Sequence, residues 1–193
     1  MRLFIALTLP QRIKKILAQA QAELRSGIVQ GAVKWVELQN FHQTIVFLGE
    51  VEKGRVEKVI SILNQVDFEP IELRLKKVGF FPDQNRPRVI WVGLKGEVEK
   101  LSHYFHQLRL ALRRADFKFD TRFSPHITLG RVRFGQGRAS FESMVLKKVN
   151  QLIQTENSLF VADQIVLFRS QLTPNGPIYT PVFRRQLARG DNV

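Results

Sequence analysis

Two of the four histidines stand two residues before a threonine, in two short segments that are nearly alike. An imidazole can give or take a proton near neutral pH, and a hydroxyl can donate a hydrogen bond to a phosphate oxygen. Two such pairs on opposite sides of a phosphorus would supply a base for the attacking oxygen and an acid for the leaving oxygen without a metal. The segments comprise His42, Gln43, Thr44 and Ile45, and His126, Ile127, Thr128 and Leu129.

A single His-x-Thr is a weak signal, because any strand can carry one, but two copies indicate acid-base chemistry on a phosphate. Arg131 follows the second copy and is the candidate for a bidentate contact as negative charge builds in the transition state. By strict strand alternation Arg131 lies on the opposite face from His126, so this role requires the strand to bulge or end there. The same alternation predicts that Ile45 and Phe47 face a core.

Four amphipathic helices and a set of β-type runs must position these motifs. Apolar residues at helical spacing predict helices over residues 13–24, 56–66, 98–112 and 141–152. The β-type runs cover residues 3–7, 33–38, 42–48, 71–79, 88–94, 123–132, 159–172 and 178–186. The Asn175-Gly176 pair predicts a turn between the last two.

Each half of the chain contains a helix, then a strand that begins with His-x-Thr, then another helix. Because no low-complexity linker separates the halves, we expect residues 1–193 to form a single domain of two pseudo-symmetric lobes, each carrying one motif. Helices and strands that interleave without strict βαβ order favour an α+β fold with largely antiparallel sheets. A twofold relation between the lobes would bring both motifs to one cleft.

Composition excludes several classes of protein. The 193 residues include 30 Lys and Arg against 17 Asp and Glu, a formal net charge of +13, which favours phosphate-bearing partners such as RNA. The absence of cysteine excludes disulfides, thiol nucleophiles and Cys-ligated metals. No apolar run approaches the roughly 18 residues of a membrane-spanning helix, and the opening strand does not resemble a signal peptide. We therefore expect a cytoplasmic protein without membrane association.

The pattern resembles the RNA 2′,3′-cyclic phosphodiesterase family, also called 2′-5′ RNA ligases, in the two-histidine phosphoesterase superfamily. The resemblance spans nearly the whole chain, and it includes residues 2–7, 42–50, 91–93 and 125–131 and a terminal hairpin with Tyr179. It implies a bilobed, duplicated α+β fold, with two sheets lining a central cleft and helices packed outside. It also implies hydrolysis of a terminal 2′,3′-cyclic phosphate to a 2′-phosphate, with neither a metal nor a nucleotide cofactor.

The resemblance also implies a role for each residue. His42 would be the proton donor to the departing ribose 3′-oxygen, and His126 would be the proton acceptor that activates water. The residues that would hold the phosphate are Thr44, Thr128 and Arg131. The two similar motifs cannot by themselves distinguish the acid from the base. The expected partner is RNA with a 2′,3′-cyclic phosphate end, tRNA-like fragments included, and the expected oligomeric state is a monomer.

Two alternatives to this function remain open. The same chemistry could act on a small cyclic nucleotide or a 2′-5′ oligoadenylate. The second alternative is a non-catalytic module that binds RNA or a nucleotide, although intact histidine pairs argue against it. The enzyme could also run the reaction in reverse, as ATP-independent 2′-5′ ligation. A metal site at Glu99, His103 and His106 is disfavoured, because the spacing offers no further ligand.

Basic residues that flank the second motif predict a positively charged rim for RNA. They are Arg113, Arg114, Lys118, Arg122, Arg131, Arg133 and Arg138, and Arg184 and Arg185 near the end of the chain are assigned to the same rim.

Overall fold

The computed structural model describes residues 1–133, 141–174 and 176–188, which contain nine strands, four α-helices and three short 3₁₀ helices. The strands are β1 (Arg2–Thr8), β2 (Val33–Trp35), β3 (His42–Glu50), β4 (Ile71–Phe81), β5 (Val89–Gly96), β6 (His126–Val132), β7 (Leu159–Ala162), β8 (Gln164–Thr173) and β9 (Gly176–Gln186). The helices are α1 (Gln11–Ser26), α2 (Val56–Gln65), α3 (Val98–Arg114) and α4 (Ser143–Ile153). Two sequence predictions, the rim position Arg138 and the turn residue Asn175, fall outside the described residues.

The strands form two antiparallel sheets. The first sheet has the order β3-β1-β8-β9, and the second has the order β2-β6-β5-β4-β7. The predicted α+β class with antiparallel sheets is therefore confirmed. Each sheet contributes one His-x-Thr strand, β3 in the first and β6 in the second, and these two strands contact each other.

The helices form two pairs that pack against the sheets. Helix α1 packs on α4, which contacts β4, and α2 packs on α3, which contacts β3. Their inward faces are apolar, as the helical spacing predicts, and Ile13 and Leu17 of α1 are fully buried. Gln21 is a buried polar exception whose side-chain nitrogen donates to the Leu129 carbonyl at 2.7 Å, which ties α1 to β6. None of the described helices combines the length and apolarity that crossing a membrane requires.

The β-type run predicted over residues 159–172 is two strands in different sheets. Strand β7 pairs with β4 in the second sheet, whereas β8 pairs with β1 in the first. The chain passes between the sheets at Asp163, whose carbonyl accepts a hydrogen bond from Leu187 N at 2.7 Å. Asp163 and Gln164 are polar, but the apolar residues on both sides of this pair made the segment look like one continuous run.

The fourth helix also differs from its prediction at its first turn. It begins at Ser143, whereas Phe141 precedes it and packs its ring on Phe80 with the centroids 4.8 Å apart. Met144, which the prediction placed on the apolar stripe, is 79% exposed. Phe141 therefore contacts the core from the loop before α4, and Met144 in the first turn of the helix does not.

Candidate active site

A β-bulge follows the threonine of the first motif and changes which side chains share a face. In the pairing of β3 with β1, Thr44 and Val46 have partners whereas Ile45 is skipped. The extra residue reverses the alternation beyond it, so Phe47 returns to the face of His42 and is 44% exposed. Ile45 is buried as predicted, but the core position predicted for Phe47 is wrong because strict alternation allows for no extra residue.

The second motif has a bulge at the equivalent point. In the pairing of β6 with β5, Thr128 and Gly130 have partners whereas Leu129 is skipped. Arg131 therefore lies on the same face as His126 and lines the same cavity. The bulge on which the phosphate-binding role of Arg131 depends is present.

The residues between and after the motif side chains point away from this face. Gln43, Ile127 and Leu129 are all buried. Gln43 donates from its side-chain nitrogen to the Thr44 carbonyl at 2.7 Å, and its side-chain oxygen is buried without a partner among the described residues. Buried flanking side chains of this kind fix the strand against the core, so the histidine and threonine project from a rigid support.

Both motifs open into one cavity of about 420 Å³, within the range typical of small-molecule and nucleotide sites. The five predicted site residues that line this cavity together are His42, Thr44, His126, Thr128 and Arg131. Two sheets thus bring two imidazoles, two hydroxyls and a guanidinium to one space.

His42 makes two hydrogen bonds and packs against aromatic rings, of which Phe4 and Tyr179 are the nearest. Its Nδ1 lies 2.7 Å from the Asn40 carbonyl, and because a carbonyl can only accept, Nδ1 carries the proton. In the neutral ring Nε2 then accepts from the Thr44 hydroxyl at 2.9 Å. The rings of Phe4 and Tyr179 lie 4.9 and 5.4 Å from the imidazole. These contacts direct Nε2 toward the threonine hydroxyl that lines the cavity.

His126 has the same anchor and different neighbours. Its Nδ1 lies 2.6 Å from the Ser124 carbonyl, again two residues earlier, so Nε2 is the free nitrogen. The Phe81 ring meets the imidazole edge-on at 5.1 Å, and Trp91 lies 6.2 Å away. Trp91 covers Gly79 so closely that a Cβ there would lie 2.2 Å from its ring. The indole therefore lies over Gly79 and packs beside His126.

The surroundings lower the pKa of both histidines. Burial is the largest cause in each. Together with the positive charges of Lys14 and Arg131, and against the hydrogen bond to the Asn40 carbonyl, it lowers the pKa of His42 to about 4. Burial and Arg131 also lower the pKa of His126 below its ordinary value. At neutral pH the unliganded site therefore holds two neutral imidazoles, and a bound anion would raise both pKa values.

Sequence reasoning missed several residues of the cavity. Lys34 lines it and lies directly opposite Arg131 in the pairing of β2 with β6, and Arg2 and Asn40 line it as well. The run of residues 33–38 indicated a strand but not the strand that it pairs with. The sequence therefore could not show that Lys34 lies beside Arg131. Asn40 acts on His42 through its backbone carbonyl, which no side-chain pattern reveals.

The other predicted features lie outside the cavity. Among the described members of the predicted basic rim, Arg131 alone lines it, and Arg122 forms an exposed ion pair with Asp120. His103 on α3 bonds the Gln107 side chain at 2.7 Å. Within the described segments, no group of three or more metal-ligating side chains is placed to hold a metal.

A paired-sheet fold with a His-x-Thr strand on each side of one cavity is the architecture of a phosphoesterase built on two histidines. The family model described as LigT like Phosphoesterase matches the chain twice, over residues 7–91 and 92–179. The chain belongs to this LigT-like phosphoesterase family. Each of the two matches contains one His-x-Thr motif.

Curated relatives cover nearly the whole chain. A protein of Methanocaldococcus jannaschii is 33% identical over 179 residues, covering 93% of this chain and 96% of that protein. A protein of Thermotoga maritima is 30% identical over 193 residues, covering 98% and 97%. Both are named RNA 2′,3′-cyclic phosphodiesterase.

Solved structures show the same fold. The crystal structure of a Thermus thermophilus protein, TT0787, matches with a TM-score of 0.79 and 26% identity, covering 97% of this chain and 98% of that one. E. coli LigT complexed with 3′-AMP matches with a TM-score of 0.76, 24% identity and the same coverage. The bilobed, duplicated α+β fold that the sequence implied is confirmed.

Proposed function

We propose that this protein is an RNA 2′,3′-cyclic phosphodiesterase, which hydrolyses a 2′,3′-cyclic phosphate end of RNA to a 2′-phosphate without a metal. The observation that carries the proposal is the meeting of both His-x-Thr pairs and Arg131 in one cavity. The substrate is supported by the names of the full-length relatives and by the net charge of +13.

In the proposed reaction His126 is the base and His42 the acid. Nε2 of His126 takes a proton from water, whose oxygen forms a bond to phosphorus. The bond from phosphorus to the ribose 3′-oxygen breaks, and this oxygen takes a proton from Nε2 of His42. The phosphate stays on the 2′-oxygen. Proton transfer in bulk water then resets both imidazoles.

The different surroundings of the histidines support this assignment, which the family resemblance also implies. Protonated His42 is a strong acid toward the leaving oxygen because burial and nearby cations lower its pKa to about 4, and it can act as the donor once substrate binding gives it a proton. The substrate phosphate is anionic, so its binding raises the pKa of His42 and stabilises the proton that the ring must deliver. Both Nδ1 atoms donate hydrogen bonds to backbone carbonyls, so Nε2 is the nitrogen of each ring that exchanges the proton.

The remaining site residues hold the phosphate in this proposal. The hydroxyls of Thr44 and Thr128 donate to its non-bridging oxygens, and Arg131 binds the same oxygens as negative charge develops. The Thr44 hydroxyl already lies beside Nε2 of His42, so a phosphate oxygen that accepts from one is within reach of the other.

Several finer points stay predictions from the sequence. We propose that residues 1–193 form a single domain of two pseudo-symmetric lobes, which the two family matches support. A monomeric state, a cytoplasmic location and tRNA-like substrates are predictions of the same kind. So is 2′-5′ ligation, in which a 5′-hydroxyl of RNA would replace water as the attacking group.

The test is turnover, in EDTA, of an oligoribonucleotide that ends in a 2′,3′-cyclic phosphate, with the product isomer identified. We expect a 2′-phosphate, and we expect His42→Ala and His126→Ala to lower kcat by roughly 10³-fold. His106→Ala is the matched control, because this histidine is exposed on α3 away from the cavity.

Two outcomes would replace the proposal. If the wild-type protein binds the RNA and leaves it unchanged while it hydrolyses small cyclic nucleotides, the substrate is wrong. If it binds RNA and hydrolyses neither, it is a binding module.

A further inference from the structure

We propose that the cavity contains a second anion subsite at Lys34, which binds the 5′-phosphate of the terminal nucleotide, the group that links this nucleotide to the rest of the RNA. This inference rests on the proposed function, because the proposed substrate identifies the second anion. It assigns a specificity role to a residue outside the two motifs.

Lys34 stands beside the phosphate-binding arginine. It is the middle residue of β2, and its partner in the antiparallel pairing with β6 is Arg131. Directly paired residues project from the same face of a sheet, with their strands about 5 Å apart. Because β2 is the edge strand of the second sheet, Lys34 is displaced from His126 in the outward direction. The two cations are therefore neighbours on one wall of the cavity.

The start of β9 bounds the lysine side chain. Lys34 Cε lies 3.6 Å from the position that a Cβ on Gly176 would occupy, so the methylene stem packs against the first residue of β9. The adjacent Pro177 carbonyl accepts a hydrogen bond from the Asn40 side chain at 3.2 Å. The same Asn40 anchors His42, so the wall beside Lys34 is connected to the catalytic imidazole.

The charge of the cavity exceeds what one phosphate requires. Its lining includes the cations Arg2, Lys34 and Arg131, against Glu37, whose carboxylate accepts a hydrogen bond from Gln39. In the part of the chain that the structure describes, no ion pair neutralises any of the three cations. The proposed reaction engages Arg131 with the cyclic phosphate. Lys34 is then the other cation that lines the same wall of the cavity, and it is left for a second anion.

A nucleotide at the end of an RNA chain presents two anions of this kind. The cyclic phosphate bridges the 2′- and 3′-oxygens, and the 5′-oxygen carries the phosphodiester that continues the chain. A nucleoside 2′,3′-cyclic phosphate has the first and lacks the second. A lysine ammonium, with three donors and a compact charge, suits a phosphodiester whose exact orientation varies. The subsite would thus favour RNA ends over small cyclic nucleotides.

Arg2 is the competing cation. It lies at the start of β1 in the first sheet, so it approaches the cavity from the opposite wall. The pairing of Lys34 with Arg131 favours the lysine, because it places the two positive charges side by side on neighbouring strands. Separate substitutions of Lys34 and Arg2 distinguish the two positions.

The test compares two product-like ligands by titration calorimetry, adenosine 2′-phosphate and adenosine 2′,5′-bisphosphate. For each protein the readout is the ratio of the two Kd values. We expect wild-type protein to bind the bisphosphate about tenfold more tightly, the factor typical of one added charge-assisted hydrogen bond. Lys34→Gln should bring the ratio close to one, and Lys34→Arg should restore it.

The matched control is Lys95→Gln, which removes the same charge from an exposed position on β5 outside the cavity and should keep the wild-type ratio. The subsite is overturned if wild-type protein shows no preference, if Lys34→Gln keeps the preference, or if Arg2→Gln abolishes it while Lys34→Gln does not. Because binding requires no turnover, this result is independent of whether the protein hydrolyses cyclic phosphates.

Discussion

Strands β3 and β6 repeat one local design in two different environments. In both, a histidine donates through Nδ1 to the carbonyl two residues earlier, a threonine follows two residues later, and a bulge comes directly after it. Three residues beyond each threonine the strands differ, because β3 has Phe47 and β6 has Arg131 on the cavity face. The two strands share the hydrogen bond at Nδ1 and the bulge, but the side chains around the two histidines differ.

The environments separate the two imidazoles chemically. His42 packs against Phe4 and Tyr179 and accepts from Thr44, and its pKa falls to about 4. His126 is lowered in pKa as well, beside the Arg131 guanidinium. Two similar motifs can therefore take different parts in one reaction, since burial and charge decide which imidazole holds its proton less tightly.

The largest expected effect tests the division into acid and base. A 2′,3′-cyclic phosphorothiolate with sulfur in place of the 3′-oxygen needs little protonation of its leaving group. With the oxygen substrate, His42→Gln and His126→Gln should each lower kcat roughly 10³-fold. With the sulfur substrate, His42→Gln should recover about 10²-fold of its loss, since an acid is no longer required, whereas His126→Gln should recover little. Recovery in His126→Gln instead would reverse the two roles.

The next largest effect is expected at Arg131, and it is compared with that at Phe47. Each of these residues stands three positions after the threonine of its motif. Arg131→Met should lower kcat/KM on a cyclic-phosphate RNA end by about 10²-fold, because it removes donors to the developing negative charge. Phe47→Leu should cost less than about tenfold, since this side chain carries no charge. An equal loss in the two variants would contradict a phosphate contact by Arg131.

A smaller effect concerns the support of His126. Gly79→Ala should lower the free energy of unfolding by about 2 kcal/mol, because the new Cβ would collide with the Trp91 ring. Gly54→Ala is the matched control, since a Cβ there meets nothing within 4 Å, and it should change stability by less than about 0.5 kcal/mol. Urea unfolding of both variants measures the difference. Equal stability would show that Trp91 does not fill the space above Gly79.

The smallest effect is the pH dependence of stability. Because burial lowers the pKa of His42 to about 4, the unfolded chain binds a proton between pH 6.5 and 4 that the native state does not. The free energy of unfolding should therefore fall as the pH drops through this window. His42→Gln should remove on the order of 1 kcal/mol of that fall between pH 7 and 5.5.

Urea unfolding at both pH values measures this change, with His106→Gln as the control at an exposed histidine. If the free energy of unfolding of His42→Gln falls with pH as much as that of the wild-type protein, another group is responsible for the fall.

The site could be predicted from residue types and spacing because its signal is local. His42, Thr44, His126 and Thr128 stand at fixed short separations, and the sequence placed both pairs at the starts of strands. The structure begins β3 and β6 at these histidines. The helices were predicted for the same reason, since a 3.6-residue repeat is readable within one segment.

The features that the sequence did not show depend on partners far away in the chain. The bulge at Ile45 exists in the pairing of β3 with β1, and the bulge at Leu129 in the pairing of β6 with β5. Alternation within one strand therefore placed Phe47 on the wrong face and could not decide the face of Arg131. Lys34 meets Arg131 through a pairing that closes a long loop. Long-range register is set by the whole core, and no short pattern contains it.

The central claim is that two histidines from two sheets act on one phosphate in a single transition state. The most direct measurement is a double-mutant cycle, with kcat on a 2′,3′-cyclic phosphate RNA end determined for His42→Gln, His126→Gln and the double variant. We predict that each single change costs about 10³-fold and that the double change costs little more, because residues that act as a unit are not additive. A double variant with the product of the two single losses, or one single variant with wild-type activity, would contradict the claim.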